Sequence, residues 1–236
     1  MIMRLLFALL LALLPLPALA DVTARYAAGK TELIVAIDDG GNARIDFADK
    51  FSIIRRGGVD YAVIKEATGD TKVVNLADLM SLVSGMFSGV AMPEGQTPDK
   101  FVLTSRGDAS IAGFAGTRWA FGPEREADGR PGEMLELVLS ADPKLEPIGV
   151  LFQRIVGLAE PAMSVFAPPG SGFHLLALDL AAKGAPLGIG KTELQSVSYA
   201  KIDPKRFDLP APPVSAAEFM AASGMPVTGT DIAPLP

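Results

Sequence analysis

The sequence predicts an α+β protein, a curved antiparallel sheet with helices packed against one of its faces. Three observations lead there. Apolar and polar residues alternate with period two over residues 31–75, interrupted at short intervals by turn clusters. The period then lengthens to helical spacing over 76–90. Alternation resumes from Phe101, so the chain returns to sheet after the helix.

The first segment, "MIMRLLFALLLALLPLPALA", is set apart from the fold. It has one early cation, Arg4, an apolar run over 5–14, and small residues Ala18 and Ala20 at its end. That layout predicts a signal peptide over residues 1–20, cleaved after Ala20, with Asp21 as the new terminus. A retained anchor is the alternative, and Pro15 and Pro17 argue against it. The chain has no cysteine, so no lipid can be attached through a thioether and no disulfide can form. The expected location is a periplasm.

In the meander, "TELIVAI" places Thr31, Leu33, Val35 and Ile37 on one face. "NARIDF" turns Ala43, Ile45 and Phe47 inward and Arg44 and Asp46 outward. "FSIIRR" and "VDYAVIK" follow, the second with Val59, Tyr61 and Val63 on one side. Turns are expected at 38–42, 48–50, 57–58 and 68–70, where Gly, Asp and Asn cluster. The helix over 76–90 carries Leu76, Leu79, Met80, Val83, Met86, Phe87 and Val90 as one stripe. Asn75 is placed to cap it, Asp78 favours its positive end, and Gly89 and Pro93 mark its finish.

Three or four more strands are expected in "FVLTSR", "ASIAGFAGTRWAF" and "EMLELVLS". Gly113 and Gly116 predict a bulge or sharp curvature, after which Thr117, Trp119 and Phe121 share a face. Leu135, Leu137 and Leu139 line one side of the last of these strands. The polar "GPEREADGRPG" between them reads as an exposed loop. "PIGVLFQRIVGLAE" predicts a deeply packed helix that starts at Pro147 and stops before Pro161. "SGFHLLALDLAAKG" fits a helix capped by Ser171 and closed by Gly184, or a strand. "APLGIG" and "TELQSVSYAKI" return to sheet. The expected organisation is one domain over 21–210 and a loosely attached Pro/Ala-rich tail over 211–236. Within the tail, Ser215 and Glu218 have capping-box spacing for a short helix near 216–222.

Several chemistries find no support. His174 is the only histidine, so a zinc site lacks ligands and a Ser-His-Asp triad would depend on it. No Gly-x-Ser-x-Gly elbow occurs. "GAPLGIGKTE" ends like a phosphate loop, but Ala185 stands where the first glycine is required and strand-like alternation follows. Asp38 and Asp39 sit in a turn, and Asp128 and Glu133 in the long loop; "DDGGNARID" lacks calcium-loop spacing. The formal net charge is −6, which disfavours nucleic acid and docking on anionic lipid by overall charge. No catalytic residue, metal, nucleotide or other cofactor is expected, and no membrane span after the leader. Alternation turns one of Arg55 and Arg56 inward. An inward arginine needs a partner, and beside Tyr61 or Trp119 it would be a ligand contact.

The succession of meander, helix, "ASIAGFAGTRWAF", "EMLELVLSADPKLEP", "GAPLGIGKTELQSVSYAKID" and "FDLP" resembles a family of exported proteins whose domain has no assigned function. An I-x-G strand and a closing F-x-x-P recur in it, matched here by Ile111, Gly113, Phe207 and Pro210. That family in turn is similar to the lipoprotein-carrier fold of periplasmic carriers and outer-membrane receptors. Over approximately 21–210 the resemblance implies a half barrel of roughly 9–11 strands with two or three helices closing its concave face. It supplies no catalytic residue.

The expected function is a periplasmic, non-enzymatic carrier-like protein. It would hold an amphiphile, an acyl chain or an apolar protein segment in the concave face. Trp119, Thr117, Phe121, Tyr61, Phe47 and Leu137 would form the wall, Arg55 the polar contact and helix 76–90 a lid or plug. The alternatives are an envelope assembly module with a filled core that binds another envelope protein, and a carboxylate-dependent hydrolase.

Overall fold

The computed structural model describes residues 21–48, 50–66, 69–87, 100–124, 133–166 and 171–222. Six strands come first: β1 (Val22–Ala28), β2 (Thr31–Ile37), β3 (Ala43–Phe47), β4 (Phe51–Arg56), β5 (Val59–Lys65) and β6 (Thr71–Asn75). Helix α1 (Leu76–Phe87) follows, then β7 (Phe101–Ile111), β8 (Phe114–Pro123) and β9 (Leu135–Ser140). After helices α2 (Glu146–Phe166) and α3 (Phe173–Ala181) come β10 (Ala185–Ile189), β11 (Thr192–Ser198) and α4 (Ala216–Ala222). All 11 strands form one curved, open antiparallel sheet in the order β6-β5-β4-β3-β2-β1-β11-β10-β9-β8-β7. Among the described residues no helix is long and apolar enough to cross a membrane.

The sheet is two meanders joined at one seam, β1 against β11, with Thr23 opposite Ser198 and Tyr26 opposite Leu194. β1 is a strand that the alternation over 31–75 does not include. Its own alternation buries Val22, Ala24 and Tyr26, but small residues beside the apolar leader give a weak signal. Tyr26 donates its hydroxyl to the Pro186 carbonyl at 2.8 Å, and its burial raises the phenol above its ordinary pKa.

The first meander is covered on its helix face and, over β4–β6, on its outer face as well. On the helix face, Val35, Ile37, Ile45, Ile53, Ala62 and Val74 meet Leu76, Leu79, Ile148 and Leu151 from α1 and α2. On the outer face, Ile54, Val63, Val73 and Tyr61 lie under Leu209 and Ala211 of the segment after β11. That segment then rounds the β6 edge, where the Val214 amide donates to the Val73 carbonyl at 2.8 Å. It ends in α4, whose Phe219 and Met220 enter the main core. The tail is therefore docked through Ala222, a correction to the loose attachment expected of it. Burying two large apolar side chains contributes roughly 3–6 kcal/mol, enough to hold a short helix. The expected capping box forms: Ser215 Oγ accepts from the Glu218 amide at 3.1 Å, and Glu218 accepts from the Ser215 amide at 2.9 Å.

α1 starts directly from β6, with Asn75 Oδ1 accepting from the Ala77 and Asp78 amides at 2.9 and 3.3 Å. Its expected end at Gly89 and Pro93, like the loop over 125–132, lies outside the described residues. α2 does not stop before Pro161 but runs through it to Phe166. Proline removes the N–H that would reach the carbonyl of Gly157, and Gly157 is exposed, so water can take that carbonyl. Residues 173–181 resolve as helix, with the Phe173 amide bonded to Ser171 Oγ at 3.3 Å.

"ASIAGFAGTRWAF" is two strands and a turn. Ala112 and Gly113 both have positive φ, 52° and 82°, as the tight turn between β7 and β8 demands. The bulge expected at Gly113 and Gly116 sits in the partner strand, where Arg106 and Gly107 oppose Arg118. An alanine at a left-handed position is strained by roughly 1–2 kcal/mol. Ala112→Asn is expected to raise stability by about 0.5–1 kcal/mol, read as a shifted denaturant midpoint at unchanged slope.

Asp21 is the first described residue, and it is buried. Its carboxylate accepts from the Ile202 amide and from the Asp39 amide at 3.1 Å, and it forms an ion pair with Lys201 at 3.6 Å. The Ile202 N–H is the main reason its pKa lies below the ordinary carboxylate value; the Asp39 N–H and Lys201 act the same way, and burial opposes them. The bound form is the anion, so its stabilisation is present above the unfolded pKa of about 4 and is lost as pH falls through the folded value. Asp21→Asn is expected to destabilise by roughly 1–3 kcal/mol at pH 7. The gap to the wild-type protein should narrow progressively in unfolding curves as the pH falls below about 4.

Candidate functional site

The residues expected to form one wall occupy three places. Thr117, Trp119, Phe121 and Leu137 do come together, on β8 and β9. Phe121 and Leu137 are buried with Leu139, Ala177 and Leu180, and Phe101 and Phe173 pack against them. The Phe101, Phe121 and Phe173 rings lie 4.8–5.7 Å apart between centroids, so this region is a filled aromatic core under α3. Trp119 sits at its margin, with Lys183 Nζ 4.5 Å above the ring.

Phe47 lies at the far end of β3, 38% exposed and tilted against Phe51 at 5.3 Å. Tyr61 is on the outer face, away from the others. Alternation in β5 has the expected period, but its phase is not readable, because the C-terminal segment gives the outer face an apolar cover of its own. Asp60, on the side of Ala62, points toward the helices instead.

Arg55 is the inward member of its pair, and Arg56 bonds Asp208 outside at 2.7 Å. Arg55 stands beside neither Tyr61 nor Trp119. It is opposite Asp60 in the β4–β5 hairpin, and its guanidinium reaches that carboxylate at 3.1 Å. Arg154 of α2 reaches the same carboxylate oxygen at 2.6 Å. The Asp60 side chain is 3% exposed, so one buried carboxylate holds two guanidiniums and carries half their charge. Both also approach the Gly58 carbonyl, at 3.1 and 3.4 Å.

The two guanidiniums line one part of a cleft of about 760 Å³ between α2 and the β2–β4 strands. Ile37 and Ala43 form one wall. Pro147, Val150, Leu151 and Leu158 form the other. On α2 these residues and Arg154 recur at intervals of three and four, one stripe of the helix. Val150 is 60% exposed, so α2 is not packed on all sides as its composition predicts. Asp38 also borders the cleft, but its carboxylate closes the β2–β3 turn by accepting twice from Asn42 at 2.8 Å. Glu146 borders it near the start of α2. Among the described residues no group of three His, Asp or Glu side chains is placed to hold a metal ion.

The arrangement offers an apolar trough with excess positive charge in one part, suited to a molecule with a chain and an anionic group. Sequence reasoning missed Arg154 and Val150. The stripe 147, 150–151, 154, 157–158 is visible in the sequence, but the apolar opposite face hides it. No protein-family model, no curated protein and no solved structure matches the chain.

Removing Asp60 would leave two guanidiniums facing each other without a counter-charge. Asp60→Ala is expected to cost roughly 2–4 kcal/mol in equilibrium unfolding. Combining it with Arg154→Met should cost about 1 kcal/mol less than the sum of the single changes.

Proposed function

We propose that this protein is an exported, non-enzymatic binding protein that holds an anionic amphiphile in the α2 cleft. The observation that carries this reading is the pairing of apolar walls with the Arg55 and Arg154 guanidiniums in one cleft of about 760 Å³. The acyl chain lies along Ile37, Ala43, Val150 and Leu158, and the anionic group meets Arg154 and Arg55. The proposed ligand site is thus placed away from Phe121, whose surroundings are filled, and from the hollow of about 590 Å³ that Thr117, Trp119 and Leu139 line with Lys183.

A half barrel of the lipoprotein-carrier kind fits the same reading, with the helix face as its concave side. In support, α1, α2 and α4 all contribute to the core on that face. In this reading α1 is a plug, since Leu76 and Leu79 are buried. Export and a periplasmic location rest on the leader over 1–20. A cut after Ala20 would leave a chain starting at Asp21, which is itself built into the fold. A second reading, an envelope interaction module without ligand, is favoured by the filled aromatic core under α3.

The test uses protein recovered from the envelope fraction of producing cells, examined by native mass spectrometry and lipid extraction. The expected protein starts at Asp21 and releases an acyl lipid. A fluorescent fatty acid should bind it at least about tenfold more tightly than the matching fatty alcohol, a preference of ~1.4 kcal/mol. Arg154→Met should remove the preference, and Val150→Trp should block both probes. A folded protein that binds neither probe, or a co-purified protein partner with no lipid, would overturn the amphiphile reading.

A further inference from the structure

A second hollow lies on the opposite face of the sheet and has a different character. It has a volume of about 550 Å³ and sits where β2–β5 approach their turns, with Arg206 and Pro210 of the C-terminal segment at its side. Among the described residues five cations line it, Lys30, Arg44, Lys50, Lys65 and Arg206, and two carboxylates, Glu32 and Asp46. On a chain of net charge −6, this is a local reversal of sign.

The two carboxylates are already committed. Glu32 accepts from Arg25, outside the hollow, at 2.8 Å. Asp46 accepts from Arg44 Nε at 2.7 Å, from Arg206 Nη2 at 2.6 Å and from Ser52 Oγ at 2.6 Å. Its side chain is only 15% exposed, so it fixes both guanidiniums from below. A guanidinium carries five N–H donors. Arg44 gives one to Asp46 and one to the Arg206 carbonyl, and Arg206 gives one to Asp46. Both keep further donors for a ligand. Lys30, Lys50 and Lys65 are exposed at the rim, and none has a carboxylate within ion-pairing distance among the described residues. Glu66 and Asp70, in the neighbouring β5–β6 turn, do not line the hollow.

Like charges gathered in a concavity repel, and a multiply charged anion relieves that repulsion. Planar guanidiniums fixed by a half-buried carboxylate suit the oxygens of a phosphoryl group, and exposed lysines add charge at the rim. We propose that this hollow binds a phosphate-bearing group, through Arg44 and Arg206 at the base and Lys30, Lys50 and Lys65 around it. The net negative charge of the chain does not speak against this, because the attraction acts over about one Debye length, roughly 8 Å at physiological salt.

Isothermal titration with inorganic pyrophosphate and co-sedimentation with vesicles test the proposal in two arms. The vesicles are phosphatidylglycerol mixed into phosphatidylcholine, compared with phosphatidylcholine alone. Binding in either arm, weakened by salt, is expected; pyrophosphate alone identifies a free phosphate compound as the source, and anionic vesicles alone identify a lipid headgroup. The triple change Lys30→Gln, Lys50→Gln, Lys65→Gln should weaken it at least about tenfold. The control triple Lys100→Gln, Lys144→Gln, Lys191→Gln, equal in charge, should change it less than about twofold. On wild-type protein, amide shifts on titration should gather at Ser52 and Arg206. Absence of binding in both arms, equal losses in the two triples, or shifts confined to the Arg55–Arg154 cleft would overturn it.

Discussion

The structure depends on the pairing of β1 with β11. Each meander is local, since its strands pair with their sequence neighbours. Only the seam makes them one sheet, by hydrogen-bonding a strand at Val22–Ala28 to one at Thr192–Ser198. Without it, β1 and β11 would both be open edges with apolar side chains on the helix face. Pairing across so much chain costs loop-closure entropy before any contact repays it. The repayment is concentrated near the seam. Val22 and Ala24 are buried, Tyr26 bonds Pro186 across 160 residues, and Asp21 ties the start of β1 to Ile202 and Asp39.

Once the sheet is continuous, its helix face must be covered along its length. α1, α2 and α4 cover the first meander and the seam, and α3 covers β7–β9 with an aromatic cluster. The cleft beside α2 is the space that this covering leaves. α2 packs Ile148 and Leu151 downward, while Val150 and Arg154 stay on its open flank. The outer face follows another logic. There a segment without a long helix lies across β4–β6, anchored by Leu209, Ala211 and the Val214 amide. That strap brings Arg206 over Asp46 and so completes the cationic hollow. The two concavities lie on opposite sides of the sheet and share no lining residue.

Much of the local structure was legible because its causes are local. Asn75 caps α1 through its own side chain, and Ser215 and Glu218 cap α4 across three residues. The hairpin at Gly190-Lys191 needed only a missing glycine and a following alternation to be told from a phosphate loop. That one of Arg55 and Arg56 turns inward and needs a partner follows from alternation and the cost of burying a charge. The misreadings have local causes too. Ala112 is a poor left-handed residue, so the sequence signals curvature within one strand where Ala112 and Gly113 make a turn. Pro161 signals a stop in the sequence, whereas a helix can pass through proline where the freed carbonyl meets water.

By itself, the sequence determined the sheet-and-helix composition, most of the elements and the absence of cysteine chemistry, because periodicity, capping and composition act within a few residues. Tertiary structure alone decided which face of β5 is inner, that Tyr61 stands apart from Trp119, and that Arg55 shares Asp60 with Arg154. It also decided that the tail, through Ala222, packs into the core. These outcomes depend on what a distant segment lays over a strand. A period of two states that a strand has two unlike faces; only the partner that covers each face assigns it.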